Sequence, residues 1–281
     1  MNSESHLPPA VGRDELAVDR RLGSGGQGTV WSLSGRHTDF VLKEYRTPRT
    51  DTALAEVVAF PAMLAPEPRS WLLDRTVWPL SRVIRDGTTC GVILPPIPER
   101  FFGTTRAGRQ ERQLQYLLYP PNPLWGDIAP LDVDGRIRVA QEAAAVLALL
   151  HANGLVVGDL SQLNVLWTPA PVGLLVMDCD DIRPLAHARQ AARVETLDWN
   201  DPAMSPTGVD PDSDNYKLAL LVGRVLARSH RVRPGDPLDL LPGVEPRFAA
   251  QITATFAMAA GPSGTRPTAA RWLTALGAAR P

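Results

Sequence analysis

The sequence predicts an α+β chain in two parts: a small antiparallel β-sheet carrying one helix, then a larger, mainly α-helical part. Three observations predict it. Before residue 94 apolar and polar residues alternate in short runs bounded by turn residues, which is the period of half-buried strands. After residue 130 the apolar residues recur at helical spacing. Between the two patterns Pro95, Pro96 and Pro98 make a stiff connection that neither a strand nor a helix interior accommodates.

Taken in order, residues 15–22 and 29–34 read as two strands joined through a glycine-rich turn, and a third strand over 39–45 carries Lys43. Residues 51–64 are rich in alanine and place Leu54, Val57, Val58 and Met63 on a helical repeat, which Pro66 and Pro68 are expected to close. A second hairpin, 78–85 and 88–94, turns at Asp86-Gly87. Residues 99–131 mix charges and prolines, and a helix is expected around 109–118. Residues 134–152 form a helix with Ile137, Ala140, Ala144, Leu147 and Leu150 in one stripe. Short buried strands at 165–167 and 174–177 follow, then an almost wholly apolar helix at 214–226 and helices near 246–260 and 267–276. The expected organisation is an N-terminal extension 1–14, a sheet part 15–94, a hinge 95–98 and a helical part 99–281.

Composition narrows the function classes. A net charge of -1 over 281 residues gives no electrostatic reason to expect nucleic acid or an anionic membrane as partner. Two cysteines, Cys90 and Cys179, are too few for a disulfide framework or a Cys-based zinc cluster, and they read as thiols in a reducing compartment. Residues 1–13 lack the basic start and apolar stretch of a secretory signal, and no apolar run approaches the ~18–20 residues that span a bilayer. A soluble, cytoplasmic protein is expected.

Two distant segments need each other chemically. Leu22 leads into Gly23-Ser24-Gly25-Gly26-Gln27-Gly28-Thr29-Val30, whose glycines let the backbone N–H groups of residues 24–28 approach phosphates closely. Asp159-Leu160-Ser161-Gln162-Leu163-Asn164, followed by Asp178 at the end of an apolar strand, offers a carboxylate for an attacking hydroxyl and oxygen ligands for a divalent metal. Together they read as a site for moving a phosphoryl group.

These segments, with Val41-Leu42-Lys43, Ser213-Asp214-Asn215-Tyr216 and Arg266-Pro267, stand in an order that resembles the protein kinase family over residues 18–276. Trp78-Pro79, Gly91-Val92-Ile93-Leu94-Pro95 and Asp178-Cys179-Asp180 are most similar to a bacterial, eukaryotic-like Ser/Thr branch often fused to helix-hairpin-helix segments. The resemblance implies a bilobal protein-kinase-like fold with N-lobe, hinge and C-lobe. It implies ATP and Mg2+ or Mn2+ as cofactors and a protein substrate of unknown identity, with a phosphatase or phosphopeptide-binding protein as further partner. In that frame Val30 covers the adenine, Lys43 pairs the α- and β-phosphates and Glu56 orients Lys43. Asp159 is the catalytic carboxylate, and Asn164 and Asp178 are the metal ligands. Adenine recognition needs a backbone C=O and, two residues on, an N–H that proline lacks; this selects Leu94 as gatekeeper, Pro95 as acceptor and Ile97 as donor. Asp214 either anchors the catalytic loop backbone or caps its helix, and His151 reads as packing.

Departures from the pattern also carry expectations. Val157-Gly158 stand in place of His-Arg, so the arginine that reads a phosphorylated activation loop is missing. Ser161 replaces a lysine, and Arg183 is the candidate to substitute for that cation. Asp180 and Asp181 are expected to be hydrogen-bonded loop carboxylates and not metal ligands. Residues 199–204 lack the glutamate of Ala-Pro-Glu, which leaves Arg266 without its expected partner. An active Ser/Thr-type protein kinase is the favoured reading. An ATP-binding pseudokinase and a small-molecule phosphotransferase are the alternatives.

Overall fold

The structure, a computed structural model, describes residues 7–50, 52–188, 196–203 and 208–278. Residues 1–6 of the expected extension and Met204 of the 199–204 stretch lie outside the described residues. The fold is α+β and divides into two compact units: residues up to Ile97 together with Asp178–Ile182, and Pro98–Met177 together with the residues from Arg183 on.

The first unit contains β1 (Ala10–Gly12), β2 (Val18–Ser24), β3 (Gly28–Leu33), β4 (Val41–Arg49), α1 (Ala53–Ala59), α2 (Pro66–Leu73), β5 (Ser81–Arg85) and β6 (Thr88–Leu94). They form one sheet in the order β1-β5-β6-β4-β3-β2, antiparallel except where β1 runs parallel to β5. Two expectations are corrected here. Residues 10–12, expected in an extension, add a sixth strand and make the sheet mixed. Val11 is buried with Leu16, Leu33, Leu42, Val83, Cys90 and Ile93, and Ser81 Oγ donates to Pro8 O at 2.7 Å, but a three-residue strand is too short to show alternation. The single expected helix is two. Pro66 and Pro68 do not close a helix; they open α2, occupying first-turn positions where no intrahelical N–H is required.

Strand alternation places β4 for its task. Leu42 faces the apolar core while Lys43 and Tyr45 take the opposite face. Lys43 is held in register on both sides, opposite Val30 on β3 and Val92 on β6. Gly28 and Gly91 permit this close fit, since a Cβ would lie 2.2 Å from Glu44 O at Gly28 and 2.5 Å from Lys43 O at Gly91. Trp78 fastens α1 to this sheet region: its Nε1 donates to Val57 O at 2.9 Å and its ring lies 5.7 Å from that of Phe60.

The second unit contains β7 (Phe102–Thr105), β8 (Gly108–Glu111), α3 (Gln115–Leu118), α4 (Val133–Ala152), β9 (Leu155–Val156), β10 (Val165–Pro169), β11 (Val172–Val176), β12 (Arg183–Pro184), α5 (Leu185–Ala188), α6 (Pro211–Ala227), α7 (Pro246–Met258) and α8 (Ala269–Ala275). The helix expected around 109–118 is mostly a hairpin. Gly108 at φ 104 turns the chain, Arg109 lies 3.3 Å from the centroid of the Phe102 ring across the β7–β8 ladder, and only one helical turn, α3, remains. The long helix α4 is capped by Asp132, which accepts from Gly135 N at 2.8 Å. Its buried Arg136 acts as a staple, donating to Leu131 O (2.9 Å), Leu117 O (2.6 Å) and Val225 O (2.7 Å). Helix α6 is buried almost all round, and Gly223 lets Phe256 of α7 approach: a Cβ there would lie 2.3 Å from that ring. Among the described residues no helix is long and apolar enough to cross a membrane.

The two kinds of glycine in the loop region separate experimentally. Gly28→Ala drives a methyl into the Glu44 carbonyl and is expected to destabilise the chain by about 1–3 kcal/mol. Gly26→Ala meets nothing within 4 Å and is expected to change stability by no more than about 0.5 kcal/mol. Denaturant unfolding of both variants checks the contrast.

Candidate functional site

In the first unit the turn between β2 and β3 is pinned from below. Gly25 N donates to Gly28 O, Arg46 N to Gln27 O and Arg46 Nη2 to Gly25 O, each at 2.9 Å. The Gly25 N–H is therefore taken, and the expectation that all of residues 24–28 offer donors narrows. The backbone N–H groups of Gly26 and Gln27 make no hydrogen bond among the described residues, and a Cβ at Gly23, Gly25 or Gly26 would meet nothing within 4 Å. Open backbone donors in a turn whose glycines leave their Cβ positions unobstructed fit an anion such as a phosphate.

Lys43 is the centre of a charged cluster beside this turn. Its Nζ donates to Asp180 Oδ1 at 2.8 Å, Gln27 Oε1 at 3.1 Å and Asp178 Oδ1 at 3.2 Å. Asp180 is fully buried. Its Oδ2 accepts from Tyr45 Oη at 2.9 Å, and its backbone O accepts from Arg49 Nη1 at 2.9 Å. Arg49 also pairs with Asp181 Oδ1 at 2.7 Å, and Gln27 Nε2 donates to Asp181 Oδ2. Burial alone would push the Asp180 carboxyl up, but Lys43 and Arg49, with the hydrogen bonds from Lys43 and Tyr45, hold it below the ordinary carboxylate value. Burial alone would likewise lower the Lys43 ammonium; Asp180 and Asp178 outweigh it and raise it, so Lys43 remains a cation.

Asp178 opens the turn Cys179–Asp181 with φ 53, a left-handed conformation that Asp tolerates better than most residues. Its carboxyl is raised by desolvation, against the pull of Lys43. Lys43 holds Oδ1, while Oδ2 has no hydrogen bond among the described residues and the side chain is 45% exposed. A carboxylate with one oxygen fixed and one open suits a hard divalent cation. Asp180, with both oxygens engaged and no exposure, does not. Glu56 is not among the partners of Lys43, which corrects the expected pair. The buried face of α1 is taken by Ala53, Leu54 and Val57, and the helical phase leaves Glu56 exposed. At the end of β6 Leu94 is buried, and Pro95 and Ile97 are half-buried where the unit ends.

In the second unit Asp159 sits in the loop after β9. Asp214 anchors that loop: its two oxygens accept from Val157 N and Gly158 N, each at 2.8 Å, and His151 Nε2 lies 2.9 Å from Oδ2. The buried Lys217 Nζ donates to Gly158 O. Presenting these groups to Asp214 and Lys217 puts Gly158 at φ 80, which explains a glycine there in physical terms. The cap of α6 is a separate residue, Asp210, which accepts from Ser213 N at 2.7 Å. Asn164 Nδ2 donates to Asp159 O (2.9 Å) and Oδ2 (3.0 Å), leaving Asn164 Oδ1 without a hydrogen bond among the described residues and open to a metal. Thr196 Oγ1 lies 3.3 Å from both Asp159 carboxylate oxygens and 2.9 Å from Ser161 Oγ. Arg183 is part of β12, paired with Val156.

Arg266 does have a carboxylate partner, contrary to expectation. Both side chains are buried, with Arg266 Nη2 donating to Asp201 Oδ1 at 2.8 Å and Nη1 to Oδ2. The 199–204 stretch lacks glutamate, but Asp201 within it fills the role from a neighbouring position. Tyr45, Arg49 and Thr196 were invisible to motif reading because their contacts are long-range or belong to a strand face. Asp180 and Asp201 were legible as carboxylates, and only their partners were not.

Two curated relatives align with most of the chain. Protein kinase YegI of Escherichia coli O157:H7 is 26% identical over 228 residues, covering 78% of this chain and 32% of its own length. Protein kinase YegI of Escherichia coli K12 is 26% identical over 230 residues, covering 79% and 33%. The chain spans about a third of the length of these relatives. No protein-family model matches it. The resemblance to protein kinases read from the order of motifs is borne out by these relatives.

The Arg266–Asp201 pair gives a sharp test of the second unit. Arg266→Met leaves a buried carboxylate without its cation and is expected to lower unfolding free energy by about 3–5 kcal/mol, with Asp201→Asn milder. Denaturant unfolding of the two single variants and the double variant measures their coupling.

Proposed function

We propose that the chain is an ATP-dependent protein kinase that transfers the γ-phosphoryl group to a Ser or Thr hydroxyl of a protein. The observation that carries this reading is the Lys43–Asp178 contact at 3.2 Å beside a turn whose Gly26 and Gln27 N–H groups are open. It joins a fixed cation, an anionic ligand and free backbone donors, which are the parts that phosphate binding demands.

In this reading Gly26 and Gln27 N–H groups and Lys43 hold the phosphates, while Leu22, Val30, Leu94, Pro95 and Ile97 receive the adenine. By the resemblance to protein kinases, Asp178 and Asn164 are each proposed as a metal ligand, and Mg2+ or Mn2+ held by them would supply positive charge against the phosphates. Asp159 orients the acceptor hydroxyl and takes its proton as the oxygen–phosphorus bond forms and the bond to the β-phosphate oxygen breaks, releasing ADP. Asn164 Nδ2 keeps the Asp159 carboxylate oriented. That this carboxylate accepts a hydroxyl is supported by Thr196 Oγ1 at 3.3 Å.

A second reading, an ATP-binding regulatory scaffold, is favoured by Ser161, which is fully buried against Thr196 where a kinase of ordinary pattern carries a lysine. Incubation with labelled ATP and Mg2+ or Mn2+, with and without a generic protein substrate, separates the two. Label on protein that drops at least about a hundredfold in Asp159→Ala and in Asp178→Ala supports the kinase. Nucleotide-dependent stabilisation with no label under either metal supports the scaffold.

A further inference from the structure

We propose that Asp180 is the positioning residue for Lys43, holding its ammonium in place for nucleotide phosphates. This inference rests on the proposed function, since it concerns how Lys43 does its work there.

The geometry gives Asp180 three properties that no other group near Lys43 combines among the described residues. It makes the shortest contact to Nζ, 2.8 Å against 3.1 Å for Gln27 and 3.2 Å for Asp178. It has no exposure, so water does not compete for the pair, whereas the Asp178 side chain is 45% exposed. It is itself fixed by groups of the same strand: Tyr45 Oη donates to its second oxygen at 2.9 Å and Arg49 Nη1 to its backbone O at 2.9 Å. Lys43, Tyr45 and Arg49 all belong to β4, so the strand that carries the lysine also fixes the carboxylate that aims it.

The division of the three ammonium protons follows. Lysine has three N–H donors, and here they go to Asp180, Asp178 and Gln27. Gln27 is the neutral acceptor and sits in the glycine-rich turn, so its hydrogen bond is the weakest of the three and the one a phosphate oxygen replaces. Asp178 has a second task at the metal. Asp180 has both oxygens engaged and is inaccessible, which leaves it the constant partner. Aiming Lys43 is the task assigned by sequence to Glu56, and it is performed instead by a residue two positions after the metal-binding aspartate.

The test measures, in the full chain, equilibrium binding of a fluorescent ATP analogue and the split between KM for ATP and kcat. Wild type, Asp180→Asn, Lys43→Met, the double variant and Tyr45→Phe are compared. Asn keeps the shape and one acceptor oxygen but removes the charge. Asp180→Asn is expected to bind nucleotide about tenfold more weakly, the loss of one charge-assisted hydrogen bond. Lys43→Met should add nothing further in the Asp180→Asn background, and Tyr45→Phe, which frees the second Asp180 oxygen, should weaken nucleotide binding in the same direction but by less than Asp180→Asn. A merely structural Asp180 predicts the opposite pattern, with Asp180→Asn matching wild type in affinity per folded molecule and additive with Lys43→Met; that result overturns the inference alone. A wild-type chain that binds no nucleotide overturns the proposed function and this inference with it.

Discussion

Much of the first unit depends on one buried ion pair, Lys43 with Asp180. Their side chains are 7% and 0% exposed, and a charge so placed is tolerated only with a partner and satisfied hydrogen bonds. The pair has both, through Tyr45, Arg49 and Asp178. The chain segment Asp178–Ile182 belongs to the first unit even though its neighbours Met177 and Arg183 belong to the second. The ion pairs from β4 explain that membership: they fix five residues of a turn to a strand more than a hundred positions away in sequence. Removing Asp180 would leave Lys43 with the half-exposed Asp178, and removing Lys43 would leave Asp180 with the more distant Arg49, so the segment and the strand hold one geometry together.

The second unit uses the same physics around a different loop. Asp214 is fully buried and takes its hydrogen bonds from the backbone of Val157 and Gly158, while Lys217 binds the Gly158 carbonyl. Backbone groups fix the loop that carries Asp159, so side chains at 157 and 158 are not required to do it. The departures that look like losses in sequence, Val157-Gly158 and Ser161, are accommodated: Gly158 provides the left-handed conformation the anchoring needs, and Ser161 hydrogen-bonds Thr196 beside Asp159. Arg266 and Asp201 add a buried bidentate pair.

What sequence made legible follows from the range of the interactions. The hairpins, α4 and α6 were readable because period-two and period-3.6 patterns are local. Residue type and motif order singled out Gly26, Gln27, Asp159, Asn164 and Asp178 as candidates, and the structure places Asp178 beside Lys43 and Asn164 beside Asp159. The strand β1 was not, since three residues carry no period, and α2 was misread because proline at a helix start and proline at a helix stop look alike in sequence. Glu56 failed as the partner of Lys43 for a positional reason: the phase of α1 is set by Ala53, Leu54 and Val57 packing inward, and a two-turn helix has no freedom to present both faces. Asp180 was visible as a carboxylate, but its burial against β4 is a tertiary fact.

In the proposed binding mode Lys43 stays held by Asp180 and exchanges its Gln27 hydrogen bond for a phosphate oxygen. A crystal structure of the full chain with a non-hydrolysable ATP analogue and Mg2+ tests it most directly. The expected result is Lys43 Nζ still within hydrogen-bond distance of Asp180 Oδ1, Gln27 Oε1 released, and an α- or β-phosphate oxygen in its place. Lys43 paired with Glu56, or phosphates bound away from Lys43 and the Gly26–Gln27 backbone, would contradict it.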